Sequence, residues 1–446
     1  MIRTYKTSEL MNDWHTVPLS ALAEVFDGPH ATPKKTKVGP VFLGISNLSQ
    51  GRLDLTDIEY LSENDFTRWT RRVEPSKEDV VFSYETRIGE AALIPEGLKC
   101  CLGRRMGLLR VERGKVDPRF LLYAWIGPSF QETLRSRTVH GSTVDRLPIS
   151  ELGNFPINIP RSIAEQRAIA HVLGSLDDKI ENNRRMNETL EAMARAIFKS
   201  WFVDFDPVRA KMEGHQPVGM DSETAALFPD SFEDSAMGSI PKGWKIGNIP
   251  EIADLISGGT PKTSEPSYWD GDIAWASAKD VSQCGAAFLI RTERSITKSG
   301  LENSATRIVP RFSTVVVSRG ATTGRNTMFG DDLAMNQTCY GIRSKSGNHF
   351  FLNRCFETAV DGLVFAGHGS VFNTITTETF KRGLIVIPQD SLQTTYDELV
   401  HQMFHRILTN FYEDEHLIAI RDALLPKLLS GEIRVKEAEQ VVEVTQ

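Results

Sequence analysis

The sequence predicts an α+β protein made of two copies of one domain, separated by an antiparallel pair of long coiled-coil helices and related by a pseudo-twofold axis. Three observations lead there: an internal duplication running through most of the chain, short β-branched runs punctuated by Gly, Pro and Asn inside each copy, and a heptad pattern after each copy. With 446 residues, 40% of them hydrophobic and 24% charged, the chain has the composition of an ordered globular protein and exceeds what one core usually organises.

The duplication appears when the second half is laid over the first. Trp14 falls on Trp244, Leu22-Ala23-Glu24 on Ile252-Ala253-Asp254 and Gly28 on Gly258, all at a shift of 230. Pro75, Val80-Val81-Phe82-Ser83 and Gly89 fall on Pro310, Val315-Val316-Val317-Ser318 and Gly324 at a shift of 235. His140-Gly141-Ser142 and the stretch from Phe155 to Pro160 then match His368-Gly369-Ser370 and Gly383 to Pro388 at a shift of 228. Order is kept throughout, and a period this long repeats a whole domain with its connector rather than a solenoid unit.

Within each copy the local signals are those of strands, such as Pro40 to Ile45 and Ser313 to Ser318. Helical stretches are fewer, the clearest being Arg119 to Leu134 and its counterpart His349 to Asp361. Each copy is followed by a helix of another character. From Ala164 to about Ser200 there is no Pro and a single glycine, Gly174. Ile169, Leu176, Leu190 and Ile197 share one heptad position with Asn183, while Val172, Met186 and Met193 share the other with Lys179, a coiled-coil stripe with a polar register residue. From about Ser391 to Leu429, Phe404, Phe411, Ile418 and Leu425 recur at intervals of seven, flanked by Val400, Ile407, Leu417, Leu424 and Leu428, and Ser430-Gly431 supplies a C-cap. The expected division is a first domain over 1–160, a central helix over 161–205, a connector over 206–240, a second domain over 241–388, a C-terminal helix over 389–431 and a flexible charged tail over 432–446.

No window approaches the roughly 18 apolar residues of a membrane helix, and the opening MIRTYKTSEL lacks a signal-peptide core, which predicts a cytoplasmic protein. Five cysteines without a C-x-x-C argue against a disulfide framework and a structural zinc site. The net charge of −7 opposes nucleic-acid binding if taken alone, but a total averages over faces and hides a local basic surface.

Enzymatic signatures are missing. Gly320-Ala321-Thr322-Thr323-Gly324-Arg325 has the wrong spacing for a P-loop and no Lys, and Pro261 and Pro266 deny Gly258-Gly259 the helix that a dinucleotide or methyl-donor turn requires. H-E-x-x-H and G-x-S-x-G do not occur. Asp204 and Asp206 could act together on a proton or a metal, but they stand where the first long helix ends at Pro207, and a structural role is favoured.

Loops that combine Lys or Arg with Thr, Ser, Asn and Gly suit phosphate and base-edge contacts. The first copy offers Thr32, Lys34, Lys35 and Lys37, then Arg68, Arg71 and Arg72, then Arg87, and then Arg104 and Arg105. The second offers Thr260, Lys262, Lys279, Arg319, Thr322, Arg325, Asn336 and Gln337. Singly, each reads as a solvated surface group; the recurrence of Thr-Pro-Lys in both copies favours a shared DNA-facing role. The recurring His-Gly-Ser turn (His140, Ser142; His368, Ser370) is equally a phosphate-binding turn or a structural one. Trp69, Trp269 and Trp275 read as core.

Several segments resemble the specificity subunits of type I restriction-modification systems. They are Ala164 to Ile169, Ser175 to Ile180, Asn183 to Leu190 and Trp201-Phe202-Val203-Asp204-Phe205-Asp206-Pro207 around the first long helix, Ile240-Pro241-Lys242-Gly243-Trp244 at the opening of the second domain, and Arg421 to Ile433 at the close of the second helix. The resemblance covers nearly the whole chain. It implies two target-recognition domains, each reading one half of a split double-stranded DNA site, and a chain that is itself no enzyme and binds no cofactor or metal. It further implies two modification subunits that use S-adenosylmethionine to methylate adenine, and restriction subunits that use ATP and Mg²⁺. A methylation-only or combined cut-and-methylate system would use the same kind of subunit, and a stand-alone enzyme acting on DNA or polysaccharide is the reading from another class. The second helix opens with Leu392-Gln393-Thr394-Thr395-Tyr396 where the first has Ile163-Ala164-Glu165-Gln166-Arg167, so different N-terminal contacts are expected there.

Overall fold

Each copy of the duplicated sequence is closed by pairing its first strand with its last. In the computed structural model, which describes residues 13–30, 33–141, 144–366 and 374–443, Trp14–Pro18 lies antiparallel to Pro156–Pro160 with His15 opposite Ile159, and Lys245–Asn248 lies antiparallel to Leu384–Ile387 with Lys245 opposite Ile387. The chain divides into two units, residues 1–181 with 415–446 and residues 182–414.

The first unit holds a four-stranded antiparallel sheet in the order Ala23–Asp27, Met106–Val111, Val80–Ser83, Ala91–Leu93, and a three-stranded sheet in the order Glu59–Leu61, Lys35–Leu43, Cys100–Leu102. Val80 to Ser83 is buried on both faces, as its apolar run predicts. Phe82 turns toward Trp125, with ring centroids 4.8 Å apart, while Val81 packs with Leu43 and Leu108.

The second unit repeats the plan. Ala253–Ser257, Cys339–Ser344, Thr314–Val317 and Asn326–Phe329 follow the same order, with Phe288–Leu289 added as a fifth strand, and Arg294–Ile296, Trp269–Ala276, Leu333–Met335 and Ile308–Val309 form the smaller sheet; the pair Trp269–Ala276 with Leu333–Met335 is parallel, as is Lys35–Leu43 with Cys100–Leu102 in the first unit. The helix His349–Ala366 is continuous, whereas its counterpart is broken into Pro118–Ile126 and Pro128–Arg137. Pro128 has no N–H to continue the ladder, and Gly127 is extended. A Cβ on Gly127 would lie 2.3 Å from Leu429 Cδ1, so the last turns of the second long helix occupy the space a side chain there would need.

The two long helices are Ile163–Phe202 and Asp390–Ser430. Contacts within each unit fix their antiparallel pairing. In the first, Arg421 Nη1 donates to Asp177 at 3.0 Å. In the second, Asn183 Nδ2 donates to Glu413 and Asp414 at 2.8 Å each, Asn410 donates to Asn187 at 2.7 Å, and Tyr396 OH donates to the Ala194 carbonyl at 2.9 Å. Ile169, Val172, Leu176 and Asn183 are buried, and Leu190 and Ile197 half-buried. Met186 and Met193, expected in the seam, are instead 39% and 47% exposed. The second seam position lies one residue further on, at Leu173, Ile180, Asn187, Ala194 and Trp201, all buried. A polar and a small residue on that stripe made the methionines look like the apolar choice.

The second helix differs in the same way. Its buried face is Tyr396, Val400, Ile407, Asn410, Leu417, Arg421, Leu424 and Leu428. Phe404 stacks on Phe350 in the core of the second domain, at 4.4 Å and 1° between planes, while Phe411, Ile418 and Leu425 are half-buried on the flank that packs against domain cores. The helix openings agree more than expected: Gln166 Nε2 donates to the Pro160 carbonyl at 2.8 Å and Gln393 Nε2 to the Pro388 carbonyl at 2.9 Å. The amide reach is kept although the flanking residues differ. Gly174 is explained by Arg119, which crosses the helix to donate to the Gly174 carbonyl and Asp178; a Cβ there would sit 2.5 Å from the Arg119 guanidinium carbon.

Residues 206–240 are more ordered than a connector. They form the helices Asp206–Met212 and Ser222–Ala226 and the hairpin Phe232–Ser235 with Gly238–Pro241, and Val208 and Phe228 are buried with Phe198, Trp201, Phe202 and Tyr396. The expected flexible tail is a helix, Val435–Glu443, and Ala438 and Val442 are buried in the core of the first unit. Its two buried residues lie four apart on one face, which the surrounding charges disguise.

Asp397 on the second long helix accepts from Phe351 N at 2.8 Å, capping His349–Ala366. Burial pushes its carboxyl up to about 6, against the pull of the amides of residues 349 to 351. The folded chain binds this proton more tightly than the unfolded chain, so the contribution favours folding at low pH and is lost as pH rises through the interval from about 4 to about 6. Asp397→Asn keeps an acceptor and cannot ionise; its stability should gain on wild type by roughly 3 kcal/mol between about pH 4 and pH 7. Urea denaturation of both proteins checks this, and a pH-independent difference would refute it.

Candidate nucleic-acid interface

At one end of the larger sheet of each domain, antiparallel pairing gathers four loops. In the first domain the loop from Gly28 follows Ala23–Asp27, the loop from Tyr84 to Glu90 follows Val80–Ser83, and the turn Gly103 to Arg105 precedes Met106–Val111. The segment around His140 joins them through Leu147 N to Tyr84 O at 2.9 Å and a bridge between Glu85 and Arg146. Arg105 spans two loops, pairing with Glu85 at 2.9 Å and donating to Thr86 Oγ1 at 3.3 Å. Both Thr86 and Arg105 have positive φ (65° and 74°), a conformation unusual for side-chain-bearing residues and a mark of loops held by their surroundings.

The second domain gathers the equivalent loops. Gly258 to Lys262 lies against the turn at Asn336, with Gly259 N donating to Met335 O at 2.9 Å and Thr260 Oγ1 donating to Gln337 Oε1. Trp275 Nε1 donates to Gly259 O at 3.0 Å and Trp269 Nε1 to Lys262 O at 3.2 Å, so two buried indoles pin the loop. Ser318 N and Oγ reach Thr338 O at 2.7 and 2.9 Å, and Arg319 bridges Thr374. The repeated glycines follow from this crowding: a Cβ on Gly28 would be 2.3 Å from Met106 O, and one on Gly258 1.9 Å from Asn336 O.

Most of the predicted residues come together here. Pro33 and Pro261 are buried while Lys34 and Lys262 are exposed, so the two Thr-Pro-Lys loops present their lysines alike. Lys34, Lys37, Arg71, Arg104, Lys262, Arg319 and Arg325 are exposed and carry no ion pair among the described residues, and Thr322 is exposed beside Arg319. Lys35 pairs with Glu59, Arg87 with Glu90 at 3.4 Å, Lys279 with Glu293 at 2.7 Å and His140 with Asp145 at 3.1 Å. Lys279 stands outside the loop cluster, on the helix Ala278–Gln283. Asn336 has a structural task, its Oδ1 accepting from Thr338 N and Oγ1. Thr32, Ser142, His368 and Ser370 lie outside the described residues. Glu85 and Thr338, which tie the loops together, carry no signal in the sequence beyond following a strand or a turn.

Trp269 and Trp275 are buried, meeting edge to face at 5.2 Å, whereas Trp69, also expected in the core, is only half-buried. Asp204 pairs with Lys199, and Asp206 accepts from Ser200 Oγ at 2.7 Å, so both finish the helix. Burial pushes the thiols of Cys100, Cys101, Cys339 and Cys355 up to about 12. Among the described residues no group of three or more His, Cys, Asp or Glu could hold a metal ion, and no helix is long and apolar enough to cross a membrane.

Exposed guanidinium and ammonium groups beside Thr, Asn and Gln on loops held by a rigid sheet form a surface suited to nucleic acid, present once in each domain. The type I restriction modification DNA specificity domain matches residues 11–192 and again 241–411, well over half the chain, and the chain belongs to that family as a non-catalytic specificity subunit. It is 28% identical to the type I restriction enzyme HindI specificity subunit of Haemophilus influenzae, over 71% of this chain and 78% of that one. It is 25% identical to the MjaIX specificity subunit of Methanocaldococcus jannaschii, over 96% and 95%. The crystal structure of the S subunit from M. genitalium shares the fold, with a TM-score of 0.54 at 16% identity, covering 93% of this chain and 96% of that one.

Because backbone oxygen fills the place of a Cβ, Gly28→Ala and Gly258→Ala should each displace a loop and cost about 1–3 kcal/mol of stability. Thermal melting checks both, and melting unchanged in either variant would contradict the crowding.

Proposed function

We propose that the chain gives a type I restriction-modification complex its sequence specificity by reading a split site in double-stranded DNA, one half with each domain. The observation that carries this reading is the duplicated loop cluster, with exposed cations at the same end of the same sheet in both domains. Two modification subunits using S-adenosylmethionine to methylate adenine, and restriction subunits using ATP and Mg²⁺, are the partners; those cofactors are theirs, and this chain binds none. The complex works in the cytoplasm, and partner charge shares in neutralising DNA, which reconciles the acidic total with the function.

The test is methyl transfer from labelled S-adenosylmethionine to mixed DNA by the cognate modification subunit, with and without this chain. Transfer confined to one bipartite sequence and dependent on this chain is expected; transfer without it would end the proposal. Replacing residues 1–160 by the same region of a relative should change one half-site and leave the other, and a change in both would contradict independent readers. The helices act as a ruler: about 40 residues at about 1.5 Å each extend roughly 60 Å. Deleting one heptad from the first helix should shift the preferred spacer or abolish recognition, and an unchanged spacer would refute the ruler.

A further inference from the structure

The first domain carries a cleft of about 470 Å³ that the loop cluster does not account for. Arg68, Arg71 and Arg72 line it with Trp69, and Asp27 is the one acidic residue in its lining. That carboxylate is engaged by His30 Nε2 at 2.8 Å, with Arg72 at 4.0 Å. The Arg68 guanidinium covers one face of the Trp69 ring at 4.7 Å. The indole Nε1 of Trp69 is buried and has no hydrogen-bond partner. Gly28 and Asp27, at the start of the DNA-facing loop, form part of the wall, so the cleft opens beside the proposed reading surface.

In the second domain the matching place is filled. There Gly259, which stands where the first domain has Pro29, packs directly on the backbone of Ala305 and Thr306, where a Cβ would meet atoms at 2.3 to 2.4 Å. Arg294 lies 3.5 Å over the Trp269 ring, and Thr306 Oγ1 donates to Met335 O at 2.9 Å. The same fold is closed in one copy and open, and arginine-lined, in the other.

A concave wall cannot enter a groove to read base edges, which requires a protruding helix, strand or loop. It can receive what protrudes from a duplex, the sugar-phosphate backbone. With one face of Trp69 already covered by Arg68 and its N–H buried, the donors left to the cleft are guanidinium N–H groups, a set suited to phosphate oxygens. We propose that this cleft clamps backbone phosphate of the DNA at the first half-site, through Arg71 and Arg72, so that the first domain holds DNA by a sequence-independent grip that the second lacks. This rests on the reading of the chain as a DNA-specificity subunit.

The experiment measures binding of the complete complex with its modification subunits to a duplex carrying the site that the wild type methylates, and to a shuffled duplex, over a series of salt concentrations. Arg71→Ala with Arg72→Ala should weaken both duplexes by the same factor, about tenfold or more, and reduce the slope of log K against log salt by about 0.9 for each phosphate no longer neutralised. A neutral methylphosphonate at the clamped phosphate should abolish the difference between wild type and the double variant. An unchanged slope in the double variant, or a weakening confined to one base position with an altered methylated sequence, would overturn the proposal. Melting temperatures of the variants, together with restoration of the slope by Arg71→Lys with Arg72→Lys, separate this from a folding defect. Site-specific methylation by the wild type tests the DNA-specificity reading by itself, whatever the variants do.

Discussion

The structure depends on two helices that must satisfy two neighbours at once. Along one stripe each helix meets the other, and along an adjacent stripe it completes the core of a domain. Leu173 and Leu176 are buried in the same cluster as Trp125 and Leu428, and Phe198 and Tyr396 in the same cluster as Phe351 and Trp244. Neither helix can rotate without withdrawing a side chain from a domain. Each domain core consequently depends on the helices that follow it, and Tyr396 of the second helix is among the largest fully buried side chains.

Polar residues set the alignment of the pair. Asn183 between Glu413 and Asp414, and Asn187 against Asn410, have partners at one register only, and a slip of one turn would leave buried amides unsatisfied. In the first unit Asp177 does the same with Arg52, Tyr123 and Arg421. Burial pushes its carboxyl up, but Arg52, Tyr123 and Arg421 outweigh burial and hold it below its ordinary range. These contacts contribute specificity of alignment more than net stability, since apolar pairs would bury as well without desolvating charge.

The duplication, the strand character and both long helices were legible because each rests on patterns that local chemistry enforces. The seam was legible only in part. Counting apolar residues favours Met186 and Met193 over Asn187 and Ala194, and only the facing helix shows why an amide opposes Asn410 and why a small residue admits the Tyr396 hydroxyl. Composition likewise hid the burial of Phe228 in a Pro- and Gly-rich stretch and of Ala438 and Val442 in a charged one. At the loop clusters the candidate cations could be named from the chain, but not which of them are tied to acids, because Glu59, Glu85 and Glu293 reach their partners from elsewhere in the sequence.

The terminal helix Val435–Glu443 gives the chain an order of assembly. The core of the first unit is drawn from two separated stretches, residues 1–181 and 415–446, and it includes Leu424, Leu428, Ala438 and Val442. A ribosome making this chain releases the first domain's sheets early but supplies their last core residues only after residues 182–414 have been made. The second unit is one uninterrupted stretch, available in full beforehand. The first domain is begun before the second and completed after it, so a chain cut short before residue 415 lacks the last core residues of its first unit.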